Sequence, residues 1–263
     1  MTKNKIDARL EQCKAEGRKA LITFITAGDG GYDCTEKAVL EMAKNGADLI
    51  ELGVPFSDPM ADGKTIQGSS TVALRNGMTL GLLLDQVEQA RSQCEIPLVL
   101  MGYLNPMMQY GIERLFQRCK QVGIDALIVP DLPFGEYMEH YKPLCDRYGL
   151  PMIMLITPET SPERIRQIDQ HCGGFIYMVS AAATTGTRED FSPEQLDYFR
   201  RIDAMGLDNH RLIGFGISNP QTFRAACRYS SGAIIGSLFI QALERNPTPE
   251  AAVHDLLRTI GRE

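Results

Sequence analysis

LITFIT (21–26), CTEKAVLEMAKNG (34–46) and ADLIELG (47–53) follow one another near the start of the chain. The outer two are near-continuous apolar runs. That pattern fits parallel strands covered on both faces, because an alternating apolar and polar run would mark a half-exposed strand. The middle segment places Val39, Met42 and Ala43 on one helical face and stops at Gly46, a C-cap residue. The unit is therefore strand, helix, strand. Six more apolar runs continue it: PLVLMGY (97–103), ALIVPD (126–131), PMIMLIT (151–157), GFIYMVS (174–180), RLIGFGI (211–217) and GAIIGS (232–237). Helical segments at 79–93, 161–173, 192–206 and 219–232 fall between strands. The last three open on Ser161-Pro162, Ser192-Pro193 and Asn219-Pro220, each a capping residue followed by proline at the first helical position. Eight strands with right-handed crossovers close into a barrel or lie open as a doubly wound sheet. Eight is the closing number, and no GxGxxG follows the first strand. The predicted fold is α/β, a single (β/α)8 TIM barrel over residues 1–263. An extra N-terminal helix, IDARLEQCKAEG (6–17), is placed to cap its bottom.

Length and charge agree with this. A chain of 263 residues is a usual size for such a barrel. The net charge is −6 with 27 scattered Lys and Arg, which argues against nucleic acid as the main partner. A local site for an anionic small molecule is compatible with that charge. The seven cysteines have no CxxC spacing, so they read as reduced core thiols of a cytoplasmic protein. The polar start MTKNKIDARL is unlike a signal peptide, no run is long enough for a membrane span, and four scattered His suggest no metal site.

Three features carry chemistry. Glu51 ends an apolar strand, where desolvation raises a carboxyl pKa and suits proton transfer; a structural glutamate paired with a lysine or an amide is the equal alternative. The stretch 54–78 reads as one long loop on the catalytic face, with Asp58 and Asp62 beyond strand two. Either acid is turn chemistry or the partner of Glu51. Glycine-rich strand ends at 183–187, 214–218 and 235–239 suit a phosphate cradle, with Gly216, Gly236 and Ser237 foremost; tight turns needing glycine are the alternative. No lysine lies inside strands three to eight to form a Schiff base, and Lys64 reads as a solvated loop residue.

FITAGD (24–29), ADLIELGVPFSDPMADGKTIQ (47–67), NP (105–106), PDLP (130–133), GFIYMVS (174–180), GFGIS (214–218) and IIGS (234–237) together resemble the tryptophan synthase α-subunit family, in order and spacing. The resemblance implies retro-aldol cleavage of indole-3-glycerol phosphate to indole and glyceraldehyde 3-phosphate. Glu51 matches the proton-shuttling glutamate and Asp62 the acid that holds the indole N–H. Phe24, Tyr103 and Tyr177 match positions around the indole and glycerol. Gly186, Gly216, Gly236 and Ser237 match the phosphate cradle, and Thr185 the sixth-loop threonine. Pro55, Asp58 and Asn105 match positions facing a pyridoxal-phosphate β subunit in an α2β2 complex, where the cofactor belongs to the partner and not to this chain. Departures occur at Gly30, Lys64, Ala183 and Thr184, the last two in the sixth loop. A stand-alone indole-3-glycerol-phosphate lyase, a weakly active subunit that mainly activates β, and a sugar-phosphate epimerase are the other readings.

Overall fold

In a computed structural model, which describes residues 4–31, 34–180 and 190–262, each of the eight apolar runs contains a strand. They are β1 (Ala20–Thr26), β2 (Leu49–Gly53), β3 (Leu98–Met101), β4 (Ala126–Ile128), β5 (Met152–Ile156), β6 (Ile176–Val179), β7 (Arg211–Gly214) and β8 (Gly232–Ile235). Each pairs in parallel with the next, and β8 pairs with β1 to close the barrel. The open doubly wound sheet is thereby excluded.

Strand alternation sorts the side chains. Ala20, Ile22 and Phe24 of β1 point inward, as do Leu49 of β2 and Tyr177 of β6. Leu21, Ile25, Ile50 and Leu52 pack outward on the helices. Glu51 stands two residues after Leu49, beside Phe24 in register, so it shares the inward face. The helix Lys5–Ala15 turns Ile6, Leu10 and Cys13 into the bottom of the same inner core, which makes it the expected plug. Among the described residues no helix is long and apolar enough to cross a membrane.

Ser161, Ser192 and Asn219 cap their helices as the sequence indicates; each side chain accepts from a backbone N–H three residues on, and proline follows each. The stretch 54–78 departs from expectation. Residues 54–63 and the short turn 76–78 are irregular, and Lys64–Arg75 is a helix. Its buried face is Ser69, Ser70 and Ala73, small residues that fit close packing on β1 and on the helix Ser237–Arg245 but leave no strong apolar period in the sequence. Lys64 is correspondingly the first residue of that helix and lines the cavity described below.

The barrel bottom is tied by Asp48, whose side chain is fully buried. Its Oδ2 accepts from Leu21 N and Arg18 Nη1, both at 2.8 Å, and Arg9 Nη2 stands 2.9 Å from Oδ1. Burial pushes this carboxyl up, but the hydrogen bonds and charge from Arg18 and the Leu21 amide outweigh it, so it titrates below the usual aspartate range. Asp48→Asn is expected to lower the unfolding free energy by about 1–3 kcal/mol, since both arginines are partly solvated. A depressed pKa stabilises above the unfolded value, about 3.9, and that stability is lost as pH falls through the folded value. Denaturant titrations should therefore show the two proteins converging below about pH 3.

Candidate active site

A cavity of about 420 Å3 opens at the carboxyl ends of the strands. Its floor and walls come from Phe24, Glu51, Met101, Tyr177 and Ile234, its sides from Asp62, Ile66, Phe215, Gly216 and the turn Gly236-Ser237. β2 delivers Glu51 to the interior. It is 1 % exposed, and neither carboxyl oxygen has a hydrogen-bond partner among the described residues. Burial alone pushes it up to about 8. The alternative of a paired structural glutamate falls away among the described residues, where no cation or amide offsets its burial.

Asp62 follows the irregular stretch after β2 and is buried. Its Oδ2 accepts from Tyr103 Oη at 2.9 Å, and Tyr103 Oη accepts from Ala61 N at 2.9 Å. Gln67 Nε2 donates to the Asp62 carbonyl, tying the residue to the first turn of Lys64–Arg75. Oδ1 has no partner. Burial raises Asp62 to about 6, against the opposing hydrogen bond from Tyr103. Burial and the nearby Glu51 and Asp62 together hold the Tyr177 hydroxyl well above its ordinary value. Two acids in one cavity thus titrate apart: around neutrality Glu51 holds its proton and Asp62 has lost its own.

The far wall is backbone. Gly216 has φ +74°, and Phe215 beside it has φ +69°, a conformation rarely found outside glycine and concentrated at functional sites. Ser180 Oγ donates to Phe215 O at 2.7 Å, and Gln195 Nε2 to Ser180 O at 2.9 Å, which holds this turn in place. The helix Ser237–Arg245 begins at Gly236, has no side-chain cap and no acid in its first turn. Its open N–H groups and dipole suit an anion. Gly214 is required by contact: a Cβ there would overlap the hydroxyl end of Tyr177. Gly214→Ala is expected to cost about 1–3 kcal/mol and to displace Tyr177 into the cavity, measured by thermal unfolding and by weakened ligand affinity.

Of the residues singled out in the sequence, Glu51, Asp62, Phe24, Tyr177, Gly216, Gly236 and Ser237 line this one cavity. Tyr103 lies behind it and acts on Asp62. Thr185 and Gly186 lie outside the described residues. Pro55 is buried, whereas Asp58 and Asn105 are on the surface, away from the cavity lining. Ile66, Phe215, Phe191, Gln195 and Gln241 were not singled out, nor was Lys64 placed here. The glycine signal in GFGIS marks the Phe215 turn; nothing in the sequence marks Gln195 or Gln241. Among the described residues no three His, Cys, Asp or Glu side chains are grouped to hold a metal ion.

A parallel barrel whose inner acids face a partly backbone-walled pocket at the strands' carboxyl ends belongs to the (β/α)8-barrel enzymes. Within that class the chain belongs to the tryptophan synthase alpha chain family, whose model matches residues 10–261. It is 54 % identical over 240 residues to the tryptophan synthase alpha chain of Parabacteroides distasonis, covering 91 % of this chain and 93 % of that one. It is 50 % identical over 246 residues to that of Bacteroides thetaiotaomicron, covering 93 % and 96 %. Among solved structures, the tryptophan synthase subunit alpha of Legionella pneumophila superposes with a TM-score of 0.88 at 35 % identity, covering 98 % and 97 % of the two chains.

Proposed function

We propose that the chain is the α subunit of a tryptophan synthase and cleaves indole-3-glycerol phosphate to indole and glyceraldehyde 3-phosphate. One observation carries the chemistry: Glu51 is wholly buried without a hydrogen-bond partner among the described residues, and that burial pushes it up to about 8, while Asp62 rises only to about 6. An acid that starts protonated can give its proton to C3 of the indole ring. The ring nitrogen then bears positive charge, and Asp62, with Oδ1 unoccupied, accepts the N–H hydrogen bond and stabilises it. The Glu51 carboxylate next takes the proton of the hydroxyl on the side-chain carbon bonded to C3. The bond between C3 and that carbon breaks, its electrons return to the ring, and the hydroxyl carbon becomes the aldehyde. The proton count closes on Glu51, and the charged ring C=N is the electron sink that a lysine Schiff base would otherwise supply. Phe24 and Tyr177 flank the ring, Tyr103 orients Asp62, Gly186, Gly216, Gly236 and Ser237 receive the phosphate, and Thr185 is assigned to the sixth loop beside the substrate.

The partner in this reading is a β subunit in an α2β2 complex, which holds the pyridoxal phosphate and consumes the indole. Pro55, Asp58 and Asn105 are assigned to its contact. Met60 and Met108, 93 % and 58 % exposed, are neighbours of that set in the chain, and the Phe56 and Tyr103 rings, 5.4 Å apart, join its two loops next to Asp62. The seven free thiols suit a reducing compartment, and we place the reaction in the cytoplasm. The test is turnover of indole-3-glycerol phosphate by the purified chain with and without a β subunit, beside sedimentation of the mixture. Slow turnover alone, stimulation by β of at least about tenfold, and a two-plus-two complex are expected. Full turnover alone with no complex would make the chain a free lyase.

A further inference from the structure

The cavity wall carries Glu51, Asp62 and Asp190, yet the reading above gives it a phosphate dianion to bind. Among the described residues lining it there is one cation, Lys64. Lys64 forms no ion pair and no hydrogen bond with any described residue, so its ammonium is not spent on the neighbouring carboxylates. Its backbone places it at the phosphate wall. It shares the first helical turn with Ile66, whose Cδ1 lies 3.6 Å from the point a Cβ on Gly236 would occupy. The helix it begins packs on Ser237–Arg245, the helix whose uncapped N-terminus faces the cavity. A long flexible stem at that position brings a point charge over the anion pocket.

We propose that Lys64 is a specificity-determining residue that binds the phosphate end of the substrate beside the Gly236 turn. The inference rests on the substrate class proposed above and concerns binding, not the bond-breaking step. Charge neutralisation by Lys64 offsets the field of the Asp62 and Asp190 carboxylates and favours a phosphorylated tail over a neutral one.

The test compares the full chain with Lys64→Met and Lys64→Arg, both good helix formers. Two binding probes are used, glycerol 3-phosphate and indole, each titrated at low and high salt, beside steady-state cleavage in the presence of a β subunit. Lys64→Met should weaken glycerol 3-phosphate binding and raise KM by about five- to tenfold, with kcat within about twofold, and Lys64→Arg should recover most of the loss. The salt dependence of glycerol 3-phosphate binding should shrink in Lys64→Met, while indole affinity stays put. Equal glycerol 3-phosphate affinity in Lys64→Met and the parent chain would overturn the proposal, as would parallel weakening of indole, which marks a disturbed helix. If the chain failed to cleave indole-3-glycerol phosphate at all, the substrate reading would fall, while the glycerol 3-phosphate titration would still decide the role of Lys64.

Discussion

Glu51→Gln is expected to reduce turnover of indole-3-glycerol phosphate by about 10²–10⁴-fold while making the unliganded chain more stable. The first effect follows because the amide keeps the shape and the burial but neither gives nor takes a proton. The second follows from linkage. Glu51 titrates near 8 in the folded chain because burial disfavours its charge, and near 4.3 when unfolded. Between these values the unfolded chain binds fewer protons than the folded one, so stability falls as pH rises from about 4.5 to about 8. Below that window the native carboxyl costs little; above it the fold must carry a buried unpaired anion. Glutamine removes this dependence. Its own amide is imperfectly paired, so the net gain at pH 8 should be on the order of 1–3 kcal/mol, with little gain at pH 4. Steady-state kinetics and denaturant titration at the two pH values check both halves. An active Glu51→Gln variant would remove the acid–base role; equal destabilisation at both pH values would mean the carboxyl is held by contacts instead.

Asp62→Asn should cost about 10²–10³-fold in kcat, by a different route. Tyr103 donates to Oδ2 and leaves the buried Oδ1 without a hydrogen-bond partner among the described residues. In the variant the amide oxygen satisfies Tyr103, so the amide NH2 turns toward the ring nitrogen, donor against donor. The charge that stabilises the protonated indole is lost at the same time. The pH profile separates the two acids. Activity of the parent chain requires Glu51 protonated and Asp62 ionised, so kcat/KM should fall above about 8 and below about 6. Asp62→Asn should lose the acidic limb and keep the alkaline one. A variant retaining both limbs would assign the acidic limb to another group.

Much of this was legible in the chain, for reasons that differ by element. The strands were readable because a barrel strand is covered on both faces and must be apolar throughout, and Glu51 stood out as the charge that interrupts such a run. Strand alternation then sends it inward with Leu49. The helix Lys64–Arg75 was not readable: it buries Ser69, Ser70 and Ala73, so close packing of small residues replaces an apolar stripe. Missing that helix hid Ile66 and left Lys64, an exposed side chain as read, in a loop instead of at the helix start beside the cavity. The positive φ of Phe215 has no signal of its own in the sequence, because any residue between Gly214 and Gly216 would look the same. The partner-facing assignments, Pro55, Asp58 and Asn105, rest on resemblance, since a surface built for another chain leaves no periodic trace in its own.

The central claim is that a buried, protonated Glu51 breaks a carbon–carbon bond with Asp62 as its electrostatic partner. The most direct measurement is the release of indole and glyceraldehyde 3-phosphate from indole-3-glycerol phosphate, with a β subunit present but no serine for it to use, beside Glu51→Gln. Equal amounts of the two products from the parent chain, and neither above background from the variant, are expected. No products from the parent chain, or equal yields from the variant, would contradict the account.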